Sequence, residues 1–340
     1  MANVAGTLAI PPPARSRGNR PFDVLKLKAR LPRPLSFVLA GGGAHGSVQW
    51  GCLQAIYETD LRPDSLVGTS VGALTAAVVA EDPVAAPTRL GYIWNEIDLG
   101  NLVGDSWLAI LAAATKRQSS LTDSSAALAA MSSSVAARDF GELQIPMTAV
   151  ATDLASGEAV ALDSGDLLAA LMASSAIPGL MPPVTINGRR LVDGLASANL
   201  PAAVAVDRGA KAIIVFDTGS RPSTAVSAST VKMVTRVNAI LNANQRRSQL
   251  AYAAARVPVI LLPTPVELAA ALDFRATASA AAHAYELARD FLFDLHESYP
   301  HLRLRRGLYA RADDPLIAEQ DLAEHCHVVP RAAVPQETGK

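Results

Sequence analysis

The residues with the clearest capacity for chemistry lie in Gly68-Thr69-Ser70-Val71-Gly72, which matches G-x-S-x-G. That pattern serves a sharp strand-to-helix turn that thrusts a serine hydroxyl out at the edge of a sheet. Its glycines let neighbouring backbone pack close to the turn. The flanks fit, because Ser65-Leu66-Val67 reads as a short strand and Gly72 to Ala80 as a small-residue helix stopped by Asp82-Pro83. The positive end of that helix dipole falls beside Ser70. Ser70 is therefore a candidate nucleophile.

A second glycine motif, Gly41-Gly42-Gly43-Ala44-His45-Gly46, also follows a strand, Leu35 to Ala40, and opens a helix from Gly46 to about Glu58. Two chemistries use such a loop. Backbone N–H groups can converge on the oxygen of a tetrahedral intermediate, or they can cradle a dinucleotide, since the spacing satisfies G-x-G-x-x-G. The dinucleotide reading needs an acid at the C-terminal end of the next strand. Asp60 and Asp64 are at about the right distance but precede that strand, whose end is Gly68-Thr69-Ser70. The oxyanion reading is favoured, with the Gly41–Gly43 amides close to the Ser70 hydroxyl.

A carboxylate follows later. Asn187-Gly188 joins Val184-Thr185-Ile186 to Arg190-Leu191-Val192, and Asn-Gly tolerates the positive φ of a type I′ hairpin turn. Asp193-Gly194 ends the hairpin. Taken alone, that pair reads as a turn. Asn199 then reads as a helix cap with Pro201 in the first turn. A Ser-acid-His order is also present in Ser70, Asp217 and His283, but His283 sits in an Ala-rich helical pattern. Asp153 ends a strand. His45 either tunes or braces the glycine loop. Arg246-Arg247 reads as a solvated helix face, with lipid headgroups as the other reading. Cys326 between His325 and His327 reads as an exposed tail. With only two cysteines, neither a disulfide framework nor Cys/His metal spacing arises, and no metal is expected.

These groups need a frame. The remaining strand patterns are Met147 to Ala151, Ala212 to Phe216 and Val259 to Leu262, with long helices near 228–254 and 276–297. Strands alternating with helices predict an α/β sheet covered on both faces. Residues 83–135 carry helical patterns where a lid or substrate-facing helices would sit. Residues 1–34, rich in Pro and Arg, read as a mobile tail, 35–300 as the catalytic domain, and 301–340 as a C-terminal extension on the surface. A net charge of -1 over 340 residues argues against nucleic acid as a partner. No run approaches the ~18 apolar residues of a membrane span and the N-terminus lacks a secretory pattern, so cytoplasm is the expected location.

Together, the ordered motifs resemble those of the patatin-like phospholipase family. The Gly41–Gly46 loop looks like its oxyanion motif, Gly68–Gly72 like its elbow, and Asp193-Gly194 with Asn199 and Pro201 like its aspartate motif. Ala151-Thr152-Asp153-Leu154, Ala173 to Gly179 and Pro182-Pro183-Val184 are similar to further landmarks. The resemblance, over about residues 35–300, implies a three-layer α/β/α fold with a mostly parallel sheet and a Ser70–Asp193 dyad with Asp193 as general base. It implies an oxyanion hole made by the Gly42, Gly43 and Ala44 amides, and no cofactor. The implied activity is release of fatty acids from lipid esters. The implied partners are a lipid or other acyl-ester substrate and a peripheral membrane contact. An acyltransferase or a polyester depolymerase on the same dyad is the alternative, beside a non-enzymatic regulator and the dinucleotide binder. The sequence departs from the family at His45, where Arg or Lys is usual, and at Leu195, where Gly or Ala is usual.

Overall fold

Uninterrupted apolar runs explain the centre of the fold. β1 (Leu35–Leu39), β2 (Ser65–Thr69), β3 (Met147–Asp153), β7 (Ala212–Phe216) and β8 (Pro258–Leu261) are buried along almost their whole length, as strands covered on both faces must be. Phe37, Leu39, Ile214 and Phe216 pack into one hydrophobic cluster, and their neighbours Val38, Ile213 and Val215 into another. The period-2 alternation of a strand thus feeds two cores on opposite faces.

The computed structural model describes residues 27–98, 134–178, 181–219, 230–265, 276–299, 303–312, 314 and 326–331. Further strands are β5 (Val184–Ile186), β6 (Arg189–Asp193), β9 (Gly307–Ala310) and β10 (Cys326–Val328). Among the described residues the strands form one sheet in the order β10-β9-β8-β7-β1-β2-β3-β6-β5, with β4 (Ala159–Leu162) also paired to β3. The pairings from β10 through β3 are parallel, while β4, β5 and β6 are antiparallel additions at one side. Helices α1 (Gly46–Tyr57), α2 (Val71–Glu81), α3 (Ala86–Asp98), α4 (Leu167–Ser174) and α8 (Thr277–Ser298) contribute to the first core. The short helices α5 (Leu195–Ala198) and α6 (Ala202–Asp207), with the 25-residue α7 (Thr230–Ala254), cover the second. This is the three-layer α/β/α arrangement with a mostly parallel sheet. α2 is buried from Val71 to Ala80, which is why its sequence is apolar all round.

Several stretches differ from their reading in the sequence. β9 and β10, both within residues 301–340, extend the central sheet. Cys326 and His327 therefore belong to an edge strand and not to an exposed tail. The His327 ring stacks on Tyr309 at 4.6 Å between centroids, whereas His325 lies outside the described residues. At the other end, Leu27 and Leu31 are buried and Arg30 donates to the Tyr299 carbonyl at 2.9 Å. The segment just before β1 is thus packed against α8 and its C-terminal turn. Of the lid expected over 83–135, α3 is seen and residues 99–133 lie outside the described set. Among the described residues no helix is long and apolar enough to cross a membrane.

β1 lies between β2 and β7. From β1 the chain winds through β2 to β3 on one side, and from β7 to β8 on the other. The carboxyl end of β1 is thus the point where winding reverses, the usual place for a ligand in an open α/β sheet.

Candidate active site

The two glycine motifs meet at that point. Ser70 joins β2 to α2 with φ 56° and ψ -125°, a left-handed region that costs a non-glycine residue about 1–3 kcal/mol. The turn is held by a neighbour. The Ser70 N–H donates to Ser174 Oγ at 2.9 Å, and Ser174 Oγ–H donates in turn to the Val150 carbonyl at 2.7 Å. Ser174 ends α4, so this strained turn is tied both to that helix and to β3.

The loop Gly41–Gly43 leaves β1 beside this turn. A methyl group added at Gly41 would stand 3.3 Å from Ser70 Cβ and 2.4 Å from Asn199 Oδ1. The Gly41 N–H donates to the Asn199 carbonyl at 2.9 Å, and the Gly41 carbonyl accepts from Thr218 Oγ1 at 2.8 Å. A trans peptide points its C=O and N–H in opposite directions. With the Gly41 carbonyl turned toward the β7 side, the Gly42 N–H leaves on the β2 side, where Ser70 stands. The Gly41 amide is consumed by Asn199 and that of His45 by the Gly42 carbonyl at 3.2 Å. Among the described residues, those of Gly42, Gly43 and Ala44 keep no acceptor. Of the Gly41–Gly43 amides read from spacing as close to Ser70, that of Gly41 is thus already paired. Gly46 sits against Val71 and Trp94, and Gly68 against the Gly72 backbone.

Asp193 arrives at the same place on β6. Asn187 and Gly188 take φ 50° and 76° in the hairpin turn, as the Asn-Gly pair predicted. Ala151 of β3 pairs with Asp193, and the Asp193 backbone is fixed at both ends. Its N–H donates to the Ala176 carbonyl at 3.0 Å and its C=O accepts from Thr152 Oγ1 at 2.9 Å. The side chain accepts from the Leu195 N–H at 2.8 Å and faces the Ser70 hydroxyl. It is 1% exposed. That burial pushes its pKa up to about 7, against the Leu195 amide and the Ser70 hydroxyl, which favour the carboxylate. Gly194 lies against the Val150 carbonyl and Thr69, and Leu195 begins a helical turn, so that position makes no special demand for glycine.

The other residues weighed in the sequence fall elsewhere. His283 is exposed on α8. Asp217 is buried in an ion pair with Arg246, which overturns the solvated reading of Arg246; Arg247 is half-buried with Asn244 at 2.9 Å. Asp153 accepts from the Ala155 N–H and pairs with Arg189, and these hold its carboxyl below the ordinary range, a structural role at a strand end. His45 is buried at the end of a 3-10 turn. Asn199 is not a helix N-cap. It closes α5, and α6 starts after Pro201 with no side-chain cap. Asp60 and Asp64 sit at the amino end of the sheet, Asp64 with Arg33 and the Leu35 N–H, far from where a dinucleotide ribose would need them. Among the described residues no His/Cys/Asp/Glu group could hold a metal.

Ser174, Thr218 and the Asn199 carbonyl were not identified from sequence. Two hydroxyls in the small-residue run Ala173-Ser174-Ser175-Ala176 were the one available signal for Ser174. The model of the patatin-like phospholipase family matches residues 37–206, half of the chain. The chain belongs to the patatin-like phospholipase family. The match begins in β1 and ends in α6, so it contains Ser70, the glycine loop and Asp193, and it stops before α7.

Among relatives, the mouse patatin-like phospholipase domain-containing protein 7 is 32% identical over 213 residues, 60% of this chain and 15% of that protein. An uncharacterised NTE family protein of Mycobacterium tuberculosis is 31% identical over 179 residues, 53% of this chain and 47% of its own. The chain thus spans about a seventh of the mammalian relative and under half of the mycobacterial one. The crystal structure of VipD from Legionella pneumophila aligns with a TM-score of 0.42 at 14% identity, covering 78% of this chain and 67% of that one.

Proposed function

We propose that the chain is a serine acyl hydrolase that releases fatty acids from lipid esters through a Ser70–Asp193 dyad. The observation that carries this reading is a buried carboxyl, with a pKa near 7, close enough to the Ser70 hydroxyl for that group to favour its charged form. An ordinary carboxylate is too weak a base for an alcohol, and a desolvated one is closer to the strength that proton transfer at neutral pH requires.

In this mechanism Ser70 Oγ attacks the ester carbonyl carbon as its proton passes to Asp193. The carbonyl oxygen becomes an oxyanion and takes hydrogen bonds from the Gly42, Gly43 and Ala44 amides, each such donor typically worth ~3 kcal/mol of barrier. Collapse breaks the ester C–O bond, the alcohol leaves with the proton held on Asp193, and an acyl-enzyme remains. Water then gives its proton to Asp193, attacks the acyl carbon, and frees the fatty acid as Ser70 is reprotonated. Transfer to an alcohol in place of water uses the same groups.

Turnover of p-nitrophenyl esters of graded chain length, with fluorophosphonate labelling of Ser70, tests the proposal. A folded protein that neither turns over any ester nor labels would discard it. Adding a competing alcohol and separating acid from ester products decides between hydrolysis and transfer.

A further inference from the structure

The amino-terminal part of α7 is its more exposed part. Among its residues of described burial, the first buried one is Ala243, followed by Arg246, Leu250, Ala253 and Ala254. Among the described residues, its polar contacts to other elements run from Gln245, which accepts from the Asn199 N–H at 2.7 Å, through Arg246 on Asp217 and Gln249 on Ala203, to Tyr252 on Asp207. Asp217 follows directly on β7, so Arg246 is level with the carboxyl edge of the sheet. From there the helix descends to the start of β8. The sixteen residues from 230 to 245 therefore rise beyond that edge, by ~24 Å at 1.5 Å per residue. This is the edge on which Ser70 and the glycine loop stand.

The rising part carries an apolar stripe open to solvent. Met233, Val237, Ile240 and Leu241 are 55%, 50%, 39% and 59% exposed, and their i, i+4, i+7, i+8 spacing puts them on one face. Four exposed large apolar side chains in one line are not the scattered singles of an ordinary surface. The charge of the helix narrows what would cover them. The part from 230 to 245 contains Lys232 and Arg236 and no acid, within a chain whose net charge is -1, while Arg246 below it is neutralised in its buried pair with Asp217. An apolar face beside cations is the pattern of a helix that lies in an anionic lipid interface.

We propose that the stripe Met233–Val237–Ile240–Leu241, on the part of α7 that overhangs the sheet edge, docks the protein on the surface of an anionic phospholipid bilayer. It rests on the acyl-hydrolase reading, because docking there brings the bilayer to the mouth of the Ser70 site. The family match, residues 37–206, ends before α7.

The test compares the intact protein with a Val237→Ser/Leu241→Ser variant in flotation with two kinds of vesicle, phosphatidylcholine alone and phosphatidylcholine mixed with phosphatidylglycerol. Both side chains are exposed and their loss leaves every charge in place. The thermal midpoint and the turnover of a short, monomeric soluble ester are expected to stay at the wild-type level. Binding to the mixed vesicles is expected to fall at least ~tenfold, and the wild type is expected to bind pure phosphatidylcholine more weakly than the mixture. Equal binding by variant and wild type overturns the docking surface, and equal binding to both vesicles overturns its anionic preference. A wild-type dimer that becomes a monomer in the variant, seen by light scattering, assigns the stripe to a second copy and overturns the proposal. Flotation needs no catalysis. A protein that floats as expected but turns over no soluble ester therefore loses the acyl-hydrolase reading and keeps the docking surface.

Discussion

Ser174 Oγ accepts the backbone N–H of Ser70 at 2.9 Å while donating to the Val150 carbonyl. The amide of the candidate nucleophile is therefore spent on its own turn, which is why the proposed oxyanion hole draws on the glycine loop alone. Ser174→Ala strands a buried amide, expected to cost about 1–3 kcal/mol of stability. The same change is expected to lower kcat at least ~tenfold with little change in KM, since it loosens the attack geometry and not substrate binding. Melting curves and the rate of fluorophosphonate inactivation check both effects. Wild-type labelling in the Ala variant would remove Ser174 from the positioning of Ser70.

Ser70→Ala is expected to abolish ester hydrolysis while the circular dichroism spectrum is retained. Asp193→Asn should cost ~10³-fold in turnover, within the range for a lost general base. His283→Ala should cost less than ~tenfold, because that side chain is exposed on α8. One soluble ester measured with all three variants discriminates a dyad from a triad. An active Asp193→Asn enzyme alongside an inert His283→Ala enzyme would discard the dyad.

The Asp193 pKa sets an activity profile. The log of kcat/KM is expected to climb with unit slope below about pH 7 and level off above it. A plateau extending down to pH 5 with a soluble ester would show that a different group supplies the base.

The same group ties stability to pH. Its folded-state pKa of about 7 exceeds the ordinary 3.8, so between those values the folded state holds a proton that the unfolded chain has released. Stability from this group is full below the lower value and declines as pH rises through the window. Asp193→Asn is isosteric and carries no charge to desolvate. Its thermal midpoint should exceed the wild type's at pH 8 and by much less at pH 5. An equal gain at both would contradict a buried ionising carboxyl.

Truncation separates composition from packing at the N-terminus. Removing residues 1–26 should leave the midpoint nearly unchanged, on their Pro/Arg-rich composition. Extending the deletion through Leu31 should lower it by many degrees. Two buried leucines are lost, about 1.5–3 kcal/mol each, and the Arg30 contacts go with them. Equal midpoints would show that Leu27 and Leu31 contribute nothing.

The strands of the central sheet and the glycine turns were legible because their signals are local. An unbroken apolar run, a G-x-S-x-G between strand and helix, or an Asn-Gly between two short strands each carries its own reason. What the sequence hid depends on distant partners. β4 has only alternating half-burial over four residues, too short to declare a period. β9 and β10 are set among charged residues and acquire their place from β8. Arg246 reads as a surface cation until Asp217 is brought beneath it. Asn199 reads as a cap because its side chain suits one, yet its carbonyl is what meets Gly41. Ser174 stood inside a run of small residues, but nothing along the chain aims its hydroxyl at Ser70.

A methyl group at Gly72 would stand 2.3 Å from the Leu39 carbonyl oxygen and 2.6 Å from that of Ala40. The first turn of α2 therefore rests on the end of β1 backbone to backbone, with no side chain between. The interval between the glycine loop and Ser70 is fixed by the hard-sphere radii of peptide atoms. It does not depend on how the aliphatic layers pack. Those layers can then accumulate substitutions that trade volume or stability without shifting the interval, whereas even the smallest side chain at position 72 forces α2 away from β1. Gly72 works as a zero-thickness gauge, and random mutagenesis should find the site robust to changes in the core but intolerant of any residue there.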